Sequence, residues 1–201
     1  MKRNWHIWLL LIVLIIFSFN NSALAASKND AAAITTPKPF QISIWKPVQL
    51  FKPATSISGF RINLLYGVNK NVTGPDIGLV NKVTGDMQGL QFGFINPVDG
   101  NQSGWQDGFV NIVKGRSVGL QTGFYNASNE TKGIQVGLLN TTKKAKGFQL
   151  GFVNHADAMS GLQIGLLYNS TETLYGVQIG LFNFIWSRKP IRFFPIINIG
   201  F

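Results

Sequence analysis

"GIQVGLLN" at residues 133–140 returns as "GFQLGFVN" at 147–154, "GLQIGLLY" at 161–168 and "GVQIGLFN" at 176–183. Written G-Φ-Q-Φ-G-Φ-Φ-N, with Φ an apolar residue, copies begin at Gly74, Gly89, Gly104, Gly119, Gly133, Gly147, Gly161 and Gly176. Degenerate copies precede them at Gly59 ("GFRINLLY") and follow near Ile196 ("IINIGF"). The spacings are 15, 15, 15, 14, 14, 14 and 15 residues. Large and polar positions alternate with period two, not 3.6, so each copy reads as a strand.

Strand pairing is the harder question. The linkers "VTGD", "VDGN" and "VKGR" place Thr84-Gly85, Asp99-Gly100 and Lys114-Gly115 between copies. Asp-Gly is a strong signal for a tight hairpin. With Asp99-Gly100 as a two-residue turn, paired residue numbers sum to 199. Ile95 then faces Gly104, Gly93 faces Gln106 and Gln91 faces Gly108, while Phe94 meets Trp105 and Leu90 meets Phe109. Every bulky residue on one face lies opposite a glycine. On the other, large apolar pairs meet across the strands. The 14-residue spacings pass the same test with an odd-length loop, which keeps every side chain on its face.

The expected fold is therefore all-β: an antiparallel up-and-down meander of about 10–12 short strands, closed into a small barrel that removes its exposed edges. The alternative is a parallel β-solenoid with Gln and Asn ladders. Two points weigh against it. Glycine would stack on glycine and leave an unpacked column, and linkers such as "TTKKAK" lack apolar residues to line a second sheet.

Lys2 and Arg3, the apolar run from Ile7 to Phe19 and the small residues Ala23 and Ala25 have the layout of a cleaved secretory signal over residues 1–25. Thirteen residues fall short of the ~20 that a membrane helix needs. Residues 26–39 read as a flexible lead-in and 40–201 as the repeat domain. The chain carries 18 Lys+Arg against 8 Asp+Glu; without Lys2 and Arg3, 16 against 8 leaves +8. There is no cysteine, which excludes a disulfide framework and a cysteine zinc site.

The runs "GFRINLLYGVNKNV", "DIGLVN" and "GVQIGLFN" and the ending "FFPIINIG" resemble bacterial leptospiral-type surface-repeat proteins, over about residues 40–201. The resemblance implies a bacterial envelope or surface location. It implies no activity and supplies no catalytic or binding residues.

Apparent catalytic motifs have simpler explanations. "GRSVG" at 115–119 fits the nucleophile-elbow pattern around Ser117, but its glycines belong to the turn and the repeat, and no helix pattern follows. His155, Asp157 and Ser160 share one short segment, whereas a triad draws its members from separate elements. Asn71, Asn101, Asn126, Asn129, Asn140 and Asn169 begin N-x-[ST] matches, which arise where repeat asparagines meet Ser/Thr-rich turns. Asp107 replaces an apolar residue on the large-residue face, with no second acid beside it. No catalytic residue, metal ligand or cofactor is expected.

The cations gather at turns: Lys114 and Arg116; Lys143, Lys144 and Lys146; Arg188, Lys189 and Arg192. They are candidate contacts for anionic groups such as lipopolysaccharide phosphates. Nucleic acid is not expected, because aromatics occupy the strands and cations the turns. The expectation is an exported, non-enzymatic envelope protein with a structural or interaction role. An outer-membrane barrel in contact with lipid or lipopolysaccharide comes first. A small pore lined by the Gly/Gln face, or a soluble periplasmic or secreted binding module, is the alternative. For the barrel, an apolar face three side chains tall falls short of the ~25 Å of a lipid-facing band.

Overall fold

The computed structural model describes residues 36–201; the signal read over 1–25 and residues 26–35 of the lead-in lie outside the described residues. Strand begins at Lys38, inside the segment read as lead-in, and no helix occurs among the described residues. In chain order the strands are β1 (Lys38–Trp45), β2 (Val48–Gln49), β3 (Ile57–Asn69), β4 (Val72–Thr73), β5 (Asp76–Val83), β6 (Met87–Val98), β7 (Gln102–Ile185) and β8 (Phe193–Gly200). The 84-residue β7 winds in extended conformation through successive coils.

The pairing is parallel and in register with the repeat. Gln91 lies beside Gln106, Leu90 beside Trp105 and Gly89 beside Gly104, and β5 pairs with β6 in the same sense. The molecule is a β-solenoid, the alternative reading, and the antiparallel barrel is corrected. Trp105 does not meet Phe94. Phe94 instead stacks on Phe109, its counterpart one coil along, at 4.9 Å between ring centroids. Asp99 and Gly100 do turn the chain, but the turn leads into the next coil rather than back along a hairpin.

The objection to glycine on glycine fails for a specific reason. Nine glycines from Gly59 to Gly176, one per repeat, have positive φ. At Gly104 (φ 118°) an added Cβ would stand 2.1 Å from the carbonyl oxygen of Gly89. The column is filled by backbone, not empty. At Gly108 a Cβ would lie 2.0 Å from the Gly93 oxygen and 2.5 Å from the amide nitrogen of Asn96. The repeat's second glycine thus makes room for the asparagine of the preceding coil.

Polar side chains fill the interior. In the coil that starts at Gln102, the buried side chains are Gln102, Gln106, Asn111 and Val113. Asn96 Nδ2 donates to the Asp107 carbonyl at 2.7 Å and to Asn111 Oδ1 at 2.9 Å. Gln106 Nε2 donates to Gln91 Oε1 at 2.8 Å and to the Asn96 carbonyl at 2.9 Å. Repetition turns these bonds into two ladders of opposite direction. Along Gln91, Gln106, Gln121, Gln135, Gln149, Gln163 and Gln178, each amide donates to the preceding coil. Along the asparagines from Asn63 to Asn169, each donates to the following coil, and Asn183 ends the ladder as an acceptor. A buried amide left without a partner costs about 1–3 kcal/mol. In-register stacking satisfies every rung, and the side-chain network selects the pairing.

The glutamine ladder ends in charge at both ends. Gln91 Nε2 donates to Asp76 Oδ2, and Arg61 clamps that buried carboxylate through two bonds of 2.7 Å. At the other end Asn198 Nδ2 donates to Gln178 Oε1, and Arg188 donates to Asn198 Oδ1 at 2.6 Å. A carboxylate therefore meets the donor end and a guanidinium stands behind the acceptor end.

Beside the ladders lie two apolar clusters. Ile57, Val72, Val83, Met87, Val98 and Val113 form the first, and Ala145, Ala156, Met159, Leu174 and Ile185 the second. Thr142 and Ala145 of "TTKKAK" both point inward, so this linker does line the interior. Between the clusters the same positions carry Ser117, Ser128, Thr131 and Thr142, whose hydroxyls bond one another or Gln102.

Both ends of the parallel stack are closed by reversed strands, β2 on β1 and β8 on the last coil of β7. The register of β8 shifts between Gly180 and Asn183, where Ile196 has φ 67°. Pro195, without an N–H, precedes it. A bulge and a proline blunt an open sheet edge.

Candidate functional site

The alternation that buries the amides turns the apolar residues outward. Three columns run along the solenoid at one, three and five residues after each first glycine. In the Gly89 coil they are Leu90, Phe92 and Phe94; in the Gly133 coil, Ile134, Val136 and Leu138. Phe94 is 50% exposed, Leu138 40% and Leu166 73%. Stacking within columns covers part of this surface: Phe94, Phe109 and Phe124 lie nearly parallel at 4.9 and 4.6 Å. Ile95, which the antiparallel pairing set opposite Gly104, and its counterparts Val110, Tyr125, Leu139 and Val153 are half-buried, one residue before each asparagine.

Coils about 4.8 Å apart and strands rising about 3.4 Å per residue give this face about 40 Å by 17 Å, near 700 Å². Soluble monomers rarely expose a contiguous apolar patch beyond about 300–600 Å². One polar island interrupts it. Trp105 Nε1 donates to Thr122 Oγ1 at 2.8 Å, and the Thr122 hydroxyl donates to Asp107. The acid on the large-residue face is thus bonded along the stack.

The turns form the polar edge. Three-residue turns occupy 99–101 and 114–116, between the buried pairs Val98/Gln102 and Val113/Ser117. From Ser128/Thr131 onward the turn shortens to two residues, 129–130 and then 143–144. This deletion is the change from 15- to 14-residue spacing, and it makes a step in the edge. A ladder of turn side chains stops there. Asn71 Oδ1 accepts from the backbone N–H of Asp86, Asp86 Oδ1 from that of Asn101, and Asn101 Oδ1 from that of Arg116. The next turn has no third residue to continue it.

A groove of about 420 Å³ lies along the step, lined by Asn101, Lys114, Gly115, Arg116, Asn129, Glu130, Lys143 and Lys144. Arg116 contacts Glu130 at 3.0 Å. Lys114 and Lys82 flank Asp99 at 2.9 and 2.6 Å. Burial pushes the Asp99 carboxyl up, but hydrogen bonds and charge from the two lysines outweigh this and hold its pKa below the usual carboxylate value. Lys143, Lys144 and Lys146 have no acidic partner among the described residues.

Of the eight candidate cations, the structure brings Lys114, Arg116, Lys143 and Lys144 to one groove, with Lys146 beside it. Arg188 is engaged with Asn198 and, like Lys189 and Arg192, lies in the loop that joins β7 to β8. Ser117 is buried, and its hydroxyl donates to Gln102 Oε1 at 2.8 Å. His155 Nε2 lies 3.4 Å from Asp157 Oδ1 on the surface. The gathering of Asn129 and Glu130 into the groove was missed; the change in repeat length between Gly119 and Gly133 was its signal. No protein-family model, curated protein or solved structure matches the chain.

Proposed function

We propose that this is a non-enzymatic structural or interaction protein of a bacterial cell envelope or surface, which seats the apolar outer face of its solenoid on membrane lipid. The observation that carries this reading is the inverted polarity of the strands, with amides buried and Leu, Ile and Phe columns exposed. Removing such a face from water is favourable by about 25 cal/mol per Å² of apolar area. The secretory-type N-terminus and the resemblance to surface-repeat proteins support the location. The width of the face, about five residues or 17 Å, is close to one leaflet of a ~30 Å hydrocarbon core, which suits a protein that lies on a membrane rather than crosses it. A pore is a poorer fit, because the Gly/Gln interior is filled by mutually bonded amides.

The Asp107–Thr122 island favours a second reading, a secreted or periplasmic module whose partner offers a hydrogen-bond donor to Asp107. Flotation of residues 26–201 with phospholipid vesicles separates the two. Membrane seating expects the protein to rise with the vesicles. A monodisperse protein that stays at the bottom with every vesicle composition would establish the module instead.

A further inference from the structure

We propose that the groove at the step binds the negatively charged phosphate headgroup of a membrane lipid whose acyl chains lie on the adjacent apolar face. The proposal deepens the seating reading and rests on it. Four consecutive turns line the groove. Its cations come from both sides of the step, Lys114 and Arg116 from the last three-residue turn and Lys143 and Lys144 from a two-residue turn. Glu130 is the one acid in the lining, and it contacts only Arg116. Asp99, outside the lining, holds Lys114 as Glu130 holds Arg116, so Lys143 and Lys144 are the two lining cations with no acidic partner among the described residues. The Arg116 backbone is anchored, its N–H donating to Asn101 Oδ1 at 3.0 Å.

Continuity with the apolar face makes the ligand an amphiphile. From each turn the chain runs directly into the first outward apolar column: Arg116 precedes Leu120 by four residues, and Lys144 precedes Phe148 by four. Four residues of strand span about 14 Å, within the reach of one lipid from headgroup to mid-chain. Exposed Lys132 and Lys146 lie between turn and column, where headgroups and water would meet. Basic residues beside an apolar surface strengthen attachment to anionic lipid by about 1 kcal/mol each, and guanidinium and ammonium groups both bond phosphate oxygens well.

The test compares vesicles of phosphatidylcholine alone with vesicles enriched in phosphatidylglycerol. It uses residues 26–201, the variant Arg116→Gln/Lys143→Gln/Lys144→Gln, and a control with equal loss of charge away from the step, Lys46→Gln/Lys52→Gln/Lys70→Gln. The expected result is that the step variant loses on the order of a hundredfold in partitioning to anionic vesicles, from three cations at about fivefold each. It should keep its partitioning to neutral vesicles, and the control should change by less than about threefold. Equal losses in the two variants would reduce the effect to net charge and overturn the site while leaving seating intact. If the unmutated chain binds no vesicle at all, the seating reading falls first and the site with it. Inorganic phosphate, followed through the amide resonances of residues 114–116 and 143–144, should bind far more weakly than vesicles. Comparable binding would reassign the groove to a free anion and overturn the lipid assignment.

Discussion

The inside and the outside of this solenoid are built by the same rule and reach opposite ends. Both stack like on like at each coil. Inside, an amide on an amide is complete, because each Gln or Asn carries both a donor and an acceptor and the stack uses both. Outside, a phenylalanine on a phenylalanine covers only the ring faces; the edges and the neighbouring leucines stay in water. Stacking alone therefore closes the interior but leaves the exterior needing something to cover it. Stability should reside in the amides and glycines, and association in the apolar columns.

The largest break in that contrast should come from a methyl group. Gly104→Ala places a Cβ against the Gly89 carbonyl at a φ of 118°. Backbone strain and overpacking together should cost about 4–5 kcal/mol in chemical denaturation. Next is Arg61→Met, which leaves Asp76 buried without its cation and should cost about 3–4 kcal/mol. Adding Asp76→Gln should restore most of that, because a glutamine there continues the ladder to Gln91. No recovery in the double variant would mean that the ion pair, not the ladder, organises this end. Gln121→Leu removes the acceptor of Gln135 and the donor to Gln106, and two stranded amides should cost about 2–4 kcal/mol. Smallest is Leu138→Ser, on the exposed face. Its melting midpoint in buffer should correspond to a loss of no more than about 1 kcal/mol, while partitioning to vesicles should fall. A Leu138→Ser variant as damaged as Gln121→Leu would place the core on the wrong side of the sheet.

Strand positions, repeat boundaries and turns were legible because alternation and glycine placement are local. The sense of pairing was not, and the reason lies in the repeat itself. G-Φ-Q-Φ-G is symmetric about its glutamine, so reading it backwards yields the same order of large and small. An antiparallel partner and a parallel neighbour then present the same alternation, and the match of Ile95 to Gly104 carried less information than it suggested. What distinguishes them is that glutamine must meet glutamine and asparagine must meet asparagine to satisfy both halves of each amide. That preference belongs to the buried state and leaves no mark on hydropathy. The site was half legible. The cations at 114, 116, 143 and 144 stood out as charge, but their convergence depends on a turn shortened by one residue in an adjacent coil.

The opposed directions of the two amide ladders bear on how long such a molecule can grow. In an α-helix every added residue contributes a dipole of the same sign. Here each added coil contributes one glutamine amide pointing back and one asparagine amide pointing forward, so their axial dipoles oppose. A further coil brings its own partners for the coil below and offers the same partners to the coil above. Nothing in the interior counts coils. Length is therefore free to change by whole-repeat duplication or loss, and the reversed strands β2 and β8 act as end stops on a ruler with no intrinsic last mark.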